Sequence, residues 1–385
     1  MTKLAQLNCV ATLDDRVFVG DVDGNVHCYK LPASAAADGA VSELEARVQK
    51  ALTTPVWTAQ VKPADPIASI CVVRDLQVPA KSEGNALIVV GTALGTLIFL
   101  RNQTEVRRFQ LEAALLHLCP HADGFVASDL LGMVYGVNAY DVLWKEPLTV
   151  LSPQSSPSGD EGAMYPTITE PILRAMASIK MLDVEKTLSS YLLLSAGQQH
   201  LTICHEGKIY GVIPTKAPVS AIAARADPTL HPKPSSVSDV PGPIEFEDIV
   251  LVAEDDGMVS RLVSVRDPTS KDHQAMYQLR LEEFADVGFP VQKMLFLADE
   301  SVAVDSSNFR WVCHGPGGEI AVYAGAQLLD EWNPYQLPVD VGVGIMSTSS
   351  DKSAQAQAVA LMIVPGGIQS HVISTGMEKE SDNNM

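Results

Sequence analysis

The chain repeats one pattern, whose clearest copies are Arg16-Val-Phe-Val-Gly-Asp-Val-Asp-Gly24 running into Asn25-Val-His-Cys-Tyr29, and Ala86-Leu-Ile-Val-Val-Gly-Thr-Ala-Leu-Gly95 running into Thr96-Leu-Ile-Phe-Leu100. In each copy an apolar run meets a tight polar turn that ends in glycine, and a second apolar run leaves the turn. Short β-rich runs joined in this way are typical of β-hairpins, because the tight turn needs positive φ. Further copies, some of them weaker, bring the number of predicted hairpins to seven; they lie at 124–137, 191–204, 248–258, 310–323 and 358–368.

All the hairpins but one are accompanied by two more strand-like runs. Downstream of six hairpins comes a short run that carries an aromatic residue, in turn Trp57, Phe109, Trp144, Tyr210, Tyr277 and Trp332. A further apolar stretch, such as Ile67-Ala-Ser-Ile-Cys-Val-Val73, precedes the next hairpin. A repeat of four antiparallel strands cannot bury its faces alone, and radial stacking of the repeats solves that problem. The sequence therefore predicts an all-β fold, a seven-bladed β-propeller, with these aromatic residues in equivalent places between blades.

One repeat is a strand short. After the hairpin at 358–368, the place of the next aromatic strand is taken by Thr375-Gly-Met-Glu-Lys-Glu-Ser-Asp382, which is too polar and charged for a core strand. We expect the N-terminal and C-terminal hairpins to adjoin at the seam of the ring, with the incomplete blade built from the segment around Leu4 to Tyr29. Such a seam exposes a sheet edge unless a helix or loop covers it.

A single propeller domain over residues 1–376 is expected, with insertions at 33–54, 152–170 and 226–247. The last two insertions are rich in Pro, Ser and Gly or in polar residues, and the sequence predicts flexible loops there. The tail at 377–385 is polar, and we expect it to be disordered.

The first insertion contains the one helix that the sequence predicts. Its residues Val41, Leu44, Val48 and Leu52 recur at helical spacing with charged residues between them, which favours a short amphipathic helix over residues 41–52. Two roles are open for this helix. It is either a lid packed on its own propeller or a docking element for another subunit.

Composition restricts the class of protein and its partners. The chain is 46% apolar and only 19% charged, which excludes wholesale disorder, and its net charge of −19 argues against binding nucleic acid. The six cysteines lie inside apolar strand patterns without a CxxC pair, which indicates buried reduced thiols. The chain shows no secretory signal pattern and no apolar run suited to span a bilayer. A soluble intracellular protein without direct membrane insertion is expected.

The search for chemical sites identifies candidates that each have a simpler structural explanation. His117, Cys119 and His121 alternate along one predicted strand, but zinc ligands usually come from separated turns that converge tetrahedrally. His200, Cys204 and His205 share that weakness, because positions 204 and 205 face opposite sides of a strand. The sequence therefore predicts no stoichiometric zinc.

Three other motifs resemble ligand sites only in part. Asp21-Val-Asp-Gly-Asn25 has the start of a calcium loop but lacks its third alternating oxygen ligand and its distal Glu. Gly315-Pro-Gly-Gly318 has no following helix and no Lys-Ser/Thr, so it does not predict a phosphate cradle. Glu254-Asp-Asp256 is interpreted as a solvated acidic turn at a hairpin tip. No catalytic, cofactor-binding or metal-binding residue is predicted, and no cofactor.

Several segments carry a family resemblance. The run from Gly132 to Trp144 resembles the quinoprotein-like propeller repeat, whereas the Trp-Asp and Gly-His pairs of ordinary WD repeats are absent. The order of motifs from Tyr191 to Val265 is similar to that of the non-enzymatic propellers of the BBSome, a coat that moves membrane cargo in cilia. The run Gly95–Gln110 is similar to the FG-GAP-type propellers of the KICSTOR complex, which scaffolds nutrient signalling.

These resemblances imply a protein-interaction scaffold, a β-propeller subunit of an intracellular multiprotein complex whose partners are other protein subunits. A BBSome-like role implies a cytoplasmic protein that acts at a cilium or flagellum; a KICSTOR-like signalling scaffold is the alternative. Two other classes stay open, namely an enzyme with its site at the central channel and a module that reads a small ligand or peptide. Fold alone does not choose among them, because propellers host many functions.

Overall fold

The protein is described by a computed structural model. The described residues are 6–33, 41–74, 86–101, 103–122, 124–151, 172–182, 188–226, 245–246, 248–266, 277–297, 309–346 and 357–373. The predicted insertion at 152–170 and the tail at 377–385 lie outside these residues, as does most of the insertion at 226–247. The predictions of flexible loops and a disordered tail therefore stay predictions.

The strands form seven antiparallel sheets in which strands that are consecutive in the chain lie side by side. Blades 1 to 3 consist of β1 (Leu7–Leu13), β2 (Arg16–Asp21), β3 (Asn25–Lys30) and β4 (Trp57–Gln60); β5 (Ile67–Arg74), β6 (Ala86–Thr92), β7 (Thr96–Arg101) and β8 (Thr104–Gln110); and β9 (Leu115–His121), β10 (Gly124–Asp129), β11 (Met133–Val137) and β12 (Val142–Pro147). Two helices are present in the described part of the chain, α1 (Val41–Ala51) after β3 and the single turn α2 (Leu148–Leu151) after β12.

The remaining blades continue the same order, and a two-residue strand, β18, is added to the inner strand of blade 4. Blades 4 to 7 consist of β13 (Ala175–Leu182), β14 (Leu188–Ser195), β15 (His200–His205), β16 (Lys208–Pro214) and β18 (Glu245–Phe246); β17 (Val219–Ala226), β19 (Asp248–Glu254), β20 (Met258–Arg266) and β21 (Tyr277–Asp286); β22 (Lys293–Phe296), β23 (Arg310–His314), β24 (Ile320–Ala324) and β25 (Gln327–Trp332); and β26 (Asp340–Met346), β27 (Gln357–Val364) and β28 (Gly367–Ile373).

The sheets are arranged as a closed ring. The first strand of each blade contacts the first strand of the next, and β26 of the last blade contacts β1 of the first. Seven apolar clusters fill the space between adjacent blades, one for each pair of neighbours. The prediction of an all-β, seven-bladed propeller is confirmed, and α1 lies where the sequence predicts a helix. The one-turn helix α2 was not anticipated.

One backbone hydrogen bond recurs from blade to blade and shows that the repeats are equivalent. The residue after the outer strand donates its N–H to the carbonyl of the last turn residue in the same blade, at 2.7–3.0 Å. The pairs are Val61 to Gly24, Leu111 to Gly95, Leu148 to Gly132, Thr215 to Gln199, and Val287 to Gly257. Gln199 therefore takes the glycine's place in blade 4, although the positive φ there belongs to Gly197.

The turn after β2 is organised by the Asp21 carboxylate. Its Oδ1 accepts hydrogen bonds from the backbone N–H groups of Asp23 (3.0 Å) and Asn25 (2.7 Å), and its Oδ2 lies 2.9 Å from Nε2 of His27. Burial alone would raise the pKa of Asp21, but the hydrogen bonds from His27 and Asn25 outweigh burial and hold that pKa below its ordinary value. The side chain that resembles the start of a calcium loop is thus a turn-capping group.

The same arrangement recurs in blade 3. Asp129 caps the backbone N–H groups of Leu131 (3.0 Å) and Met133 (2.8 Å), and its other oxygen accepts a hydrogen bond of 2.8 Å from the Tyr135 hydroxyl. In both blades the carboxylate therefore binds the residues two, four and six positions later, so the pattern Asp-x-x-Gly-x-x-His/Tyr specifies the turn.

A bulge recurs in the outer strands of blades 2 to 6. In each, the register against the neighbouring strand skips one apolar residue of the outer strand; these residues are Val106, Leu143, Tyr210, Phe284 and Leu329. A bulge increases the local twist and re-aims the side chains around it. The aromatic residue of the outer strand is therefore not at one fixed position in every blade.

The prediction about the aromatic residues is partly wrong for this reason. Trp57, Phe109, Trp144 and Trp332 pack against the clusters between blades. Tyr210 is instead the bulge residue of β16 and is 48% exposed, and buried Ile213 faces the next blade in its place. The side chain of Tyr277 lies outside the described residues.

The prediction about the seam is also wrong in one respect. A single described blade has three strands, as expected, but it is the last blade, β26 to β28, and not the segment around Leu4 to Tyr29. Blade 1 is complete because β4 pairs with β3 after the chain has passed through α1. Blades 1 and 7 adjoin, as predicted, through β1 and β26.

Helix α1 lies against β28, where a fourth strand of blade 7 would stand. Leu44 and Val48 are buried in the cluster shared by blades 1 and 7. The Gln49 side chain donates to the Ile368 carbonyl at 2.7 Å, and Glu45 accepts from the Val372 N–H at 3.4 Å. The helix therefore covers the strand edge with apolar side chains and supplies polar partners for its backbone, which is the lid role.

The Asp340 carboxylate connects three blades at the seam. Its Oδ1 lies 2.5 Å from Nζ of Lys293 in blade 6, and its Oδ2 accepts a hydrogen bond of 2.9 Å from the Val10 N–H in blade 1. The Thr12 hydroxyl donates to the Val343 carbonyl along the same junction. Polar bonds between inner strands thus reinforce the apolar contact that closes the ring.

We predict that Trp144→Ala destabilises the fold by about 3 kcal/mol, the lower end of the range for emptying a large aromatic site, because Trp144 is half-buried. Its indole packs on Gly136 and Gly207, where a Cβ would collide with or crowd it. Tyr210→Ala is the matched control and should cost less than about 1 kcal/mol. Urea unfolding measures both. Equal losses for the two variants would contradict the inter-blade role of Trp144.

We predict that Asp21→Asn costs about 1–2 kcal/mol near neutral pH, because it weakens the charge-assisted hydrogen bonds between a buried carboxylate and the turn. A depressed folded-state pKa stabilises above the ordinary Asp value of about 4, and that contribution is lost as the pH falls through the lower folded-state value. The difference between wild type and variant should therefore shrink as unfolding is measured down to about pH 3. Asp23→Asn, at the exposed tip, is the control. A difference independent of pH would refute the role of the charge.

We predict that Val48→Asp detaches helix α1 from β28, because it places a charge at a fully buried position. The uncovered strand edge should then promote aggregation. Val41→Asp, on the same helix at a half-exposed position, should behave like wild type. Thermal unfolding followed by light scattering compares the two. If Val48→Asp melts and scatters like wild type, the helix does not act as a cover.

Candidate functional surfaces

The central channel is the first candidate site, because inner strands of all seven blades line it. It has a volume of about 620 Å³. Its polar lining comprises Asn8, Ser69, His117, Arg174, Gln292, Lys293, His314 and Asp340. A channel of this size and polarity could hold a small polar ligand, so the state of its charged groups decides what chemistry it offers.

The charged groups of the channel have partners within the ring. Lys293 pairs with Asp340, and Arg174 lies 2.9 Å from Asp255. Burial lowers the pKa of His117 and of His314, which favours their neutral forms. Within the described part of the chain, no three His, Cys, Asp or Glu side chains come together as a possible metal site. The channel residues serve mainly to join the blades.

The two histidines that alternate on β9 are examples of residues that join neighbouring blades. Nε2 of His117 lies 3.0 Å from the Leu173 carbonyl, and Nδ1 of His121 lies 2.8 Å from the Ser178 hydroxyl. Both partners belong to blade 4 or the segment that enters it, so the two rings join blade 3 to blade 4. Cys119 lies between them and packs against the apolar cluster of the same interface. The absence of stoichiometric zinc stays a prediction.

The candidate ligands His200, Cys204 and His205 on β15 do not converge on one site either. His205 lies 3.0 Å from the Ser190 carbonyl through Nδ1, and its ring packs on Tyr191 with centroids 4.8 Å apart. Cys204 is buried on the other side of the strand, against the cluster between blades 3 and 4. Burial raises the pKa of the Cys204 thiol to about 12, so this thiol is not an activated nucleophile.

The other cysteines are in the same state. All six are free, and all are buried except Cys119, which is half-buried. Burial raises the pKa of Cys28 to about 11 and that of Cys71 and Cys313 to about 12, and it also raises the pKa of Cys9 and Cys119. Thiols with raised pKa values behave as apolar side chains rather than as nucleophiles or redox groups.

The sequence predicts a solvated acidic turn after β19, but one of its three carboxylates is buried. Glu254 is buried and accepts a hydrogen bond of 2.5 Å from the Ala217 N–H. Asp255 pairs with Arg174, and Asp256 accepts a hydrogen bond of 3.0 Å from the Met258 N–H. All three carboxylates are thus used to position backbone or to bridge blades 4 and 5.

The glycine-rich turn after β23 does not form an anion cradle either. The carboxylate of Glu319 lies over Gly315 and Gly317, where a Cβ would collide with it. A negative charge at that place disfavours a phosphate group.

The second candidate is an apolar surface on the face of the ring that carries the β2–β3-type turns, here called the turn face. In the part of this face that extends from blade 2 to the junction with blade 4, five large apolar side chains are each more than half exposed. They are Leu94, Leu130, Leu131, Val150 and Ile172, and we call them the apolar strip.

Contacts between their neighbours place these side chains on adjoining segments of the chain. Gly95, next to Leu94, lies against the backbone of Ala113, and the Leu130 N–H donates to the adjacent Ala114 carbonyl at 2.8 Å. Gly132, after Leu131, accepts from the first residue of α2, the helix that carries Val150. Leu173, next to Ile172, is buried together with α2. The strip therefore runs from blade 2 across blade 3 to the junction with blade 4.

Exposed apolar side chains are distributed unevenly around the ring. Among the described residues, most of them belong to blades 2 to 4 or the junctions there, including Val106, Leu143, Tyr210 and Val212 on outer strands. A smaller group, Tyr335, Leu337 and Val339, lies between blades 6 and 7. Sequence reasoning missed this asymmetry, because an apolar residue in a turn or an outer strand looks the same whether or not a neighbouring blade covers it.

No helix in the described ranges is both long and apolar enough to cross a membrane. The chain matches no protein-family model and no curated protein sequence.

Solved structures show where this fold has been seen. The chain is similar to BBS1N, from its crystal structure in complex with ARL6DN, with a TM-score of 0.55 and 13% identity, over 96% of this chain and 93% of that one. It is also similar to the β-propeller domain of Cps50 (Swd1) from Myceliophteria thermophila, with a TM-score of 0.58 and 13% identity, over 97% of this chain and 98% of that one. At this identity the likeness concerns the fold, which is a seven-bladed β-propeller in this chain.

Proposed function

We propose that this protein is a non-catalytic scaffold, a β-propeller subunit of a multiprotein complex, that binds a partner protein through the apolar strip. The strip carries the proposal. Monomeric soluble proteins rarely leave a large contiguous apolar patch on their surface, and such patches mark interaction sites.

The ring is suited to such a role because it presents Leu94, Leu130 and Leu131 of the strip on short turns that are fastened to the core. The turn of blade 3 is held by the Asp129 carboxylate and by the bond from Leu130 to Ala114. Residues presented on such turns lose little conformational entropy when a partner binds. The net charge of −19 favours approach by a partner with a basic surface around an apolar centre.

The solved structures support a partner protein as the ligand. One similar propeller was crystallised in complex with another protein, ARL6DN. We infer a BBSome-like role in ciliary trafficking for this chain as the more specific form of the proposal, and a KICSTOR-like signalling scaffold as its alternative. Both are compatible with a cytoplasmic location.

The test is purification of the tagged protein expressed at native level, as wild type and as Leu131→Glu. We predict that wild type elutes with a stoichiometric set of proteins and that Leu131→Glu loses at least one of them, because a charge in an apolar contact is costly to desolvate. Leu328→Glu, at an exposed site on the outer strand of blade 6, is the matched control and should retain the whole set.

Thermal unfolding of both variants shows that they are folded. A wild-type protein that elutes alone would contradict the scaffold function. A set that is retained in full by Leu131→Glu would contradict the assignment to the apolar strip.

A further inference from the structure

The outer strand of blade 4 presents a free sheet edge. Among the described residues, β16 is hydrogen-bonded to β15 on one side and has no strand on its other side. An unpaired edge offers its backbone N–H and C=O groups to another strand.

The other long outer strands carry charges within them that discourage such pairing, whereas the one charge of β16 is at its end. Charged residues occur along β8, β12, β21 and β25, among them Arg107, Lys145, Glu282 and Asp330. Strand β16 reads Lys208-Ile-Tyr-Gly-Val-Ile-Pro214, with one charge, at its first position. Charged edge side chains are the usual protection against edge-to-edge association.

The side chains of β16 also favour an added strand. Ile209, Tyr210 and Val212 are 39%, 48% and 43% exposed. Gly211 between them has open space on its side-chain face, with no atom within 4 Å of where a Cβ would stand. An added strand would cover apolar side chains that this chain leaves in water.

The sequence of β16 is complementary to itself in antiparallel register about Gly211. That register places Tyr210 opposite Val212 and Ile209 opposite Ile213 of the other copy, and an aromatic side chain opposite a β-branched one is a favourable cross-strand pair. Beyond the two ends it brings exposed Glu206 of one copy near exposed Lys216 of the other. Both ends of the two-fold pairing thus join opposite charges.

We propose that two copies of this chain form a symmetric dimer by pairing β16 with β16 antiparallel about Gly211, which joins blade 4 of each ring into one continuous sheet. A two-fold interface of this kind uses the same patch on both subunits. The proposal is independent of the proposed function, because the apolar strip lies on the turn face and β16 lies at the outer rim.

The first test is sedimentation velocity of the purified full-length chain over a concentration series up to about 100 μM. Wild type should sediment as a dimer at the upper concentrations. Val212→Lys should remain a monomer, because it sets a charge opposite Tyr210 of the other copy. Leu328→Lys, on the outer strand of blade 6, should dimerise like wild type. A monomeric wild type, or a dimer unaffected by Val212→Lys, would overturn the proposal.

The second test reads the register itself through charge reversal. Glu206→Lys alone sets two positive charges against each other at both ends of the pairing, and Lys216→Glu alone sets two negative charges against each other there. Each variant should therefore dimerise at least about tenfold more weakly than wild type. Mixed in equal amounts, the two variants regain favourable pairing through a heterodimer.

In the register about Gly211, the heterodimer joins the introduced lysine at position 206 to the introduced glutamate at position 216 of the other copy at one end. At the other end it joins the unchanged Lys216 to the unchanged Glu206. Both ends of the heterodimer then carry opposite charges. The mixture should therefore associate as strongly as wild type.

Neither substitution should unfold the protein. The ion pair that Lys216 makes with Glu283 is exposed, and such pairs contribute little to stability. Thermal unfolding of each single variant checks this. If the mixture associates no better than the separate variants, the antiparallel register about Gly211 is wrong. Co-purification of a different protein that is lost in Val212→Lys, with wild type monomeric, would assign the edge to that protein instead.

Discussion

Closure of the ring depends on the contact between the last inner strand and the first, and the Asp340 carboxylate is at its centre. It binds Lys293 of blade 6 and the backbone N–H of Val10 in blade 1, and so holds three blades together. Each blade buries its two faces only against its neighbours. An open seam would therefore expose the apolar cluster between blades 1 and 7, which includes Val19, Leu361 and Ile363.

The seam also explains the role of α1. Blade 7 has three described strands, and its last strand would present an unpaired edge to solvent. Helix α1 covers that edge with the apolar side chains of Leu44 and Val48, and its Gln49 donates a hydrogen bond to a carbonyl of the edge strand. An insertion in the first repeat thus completes the last repeat, and the two ends of the propeller sequence are joined through side chains rather than through a shared blade.

The polar groups that join the blades and the surfaces that can bind partners lie in different parts of the ring. His117, Arg174, Lys293 and Asp340 line the channel, yet each is engaged with a neighbouring blade or the segment that enters it. The turns and outer strands of blades 2 to 4 expose apolar side chains instead. Since apolar surface is favourably removed from water, these blades and not the channel are where association would lower the free energy most.

Local sequence determined the strands, the turns and the number of blades. The alternation of apolar residues and the glycine after Asp21-Val-Asp leave few alternatives to a hairpin, and seven such hairpins with a single predicted helix among their connections predict a ring. The amphipathic spacing of Leu44, Val48 and Leu52 likewise predicts the helix. These features depend on neighbours within a few residues, and such neighbours are visible in the chain.

Only the tertiary structure decided which blade is incomplete, what covers its edge, where Tyr210 points and which apolar residues stay exposed. That the last blade and not the first is incomplete was known only when β4 was seen to pair with β3 across the 33–54 insertion. The bulge that turns Tyr210 outward arises from the register between two strands, and the exposure of Leu131 depends on what the adjoining blade leaves open. The physical reason is that register and burial are set by residues far apart in the chain, whereas periodicity reports only on residues that are close.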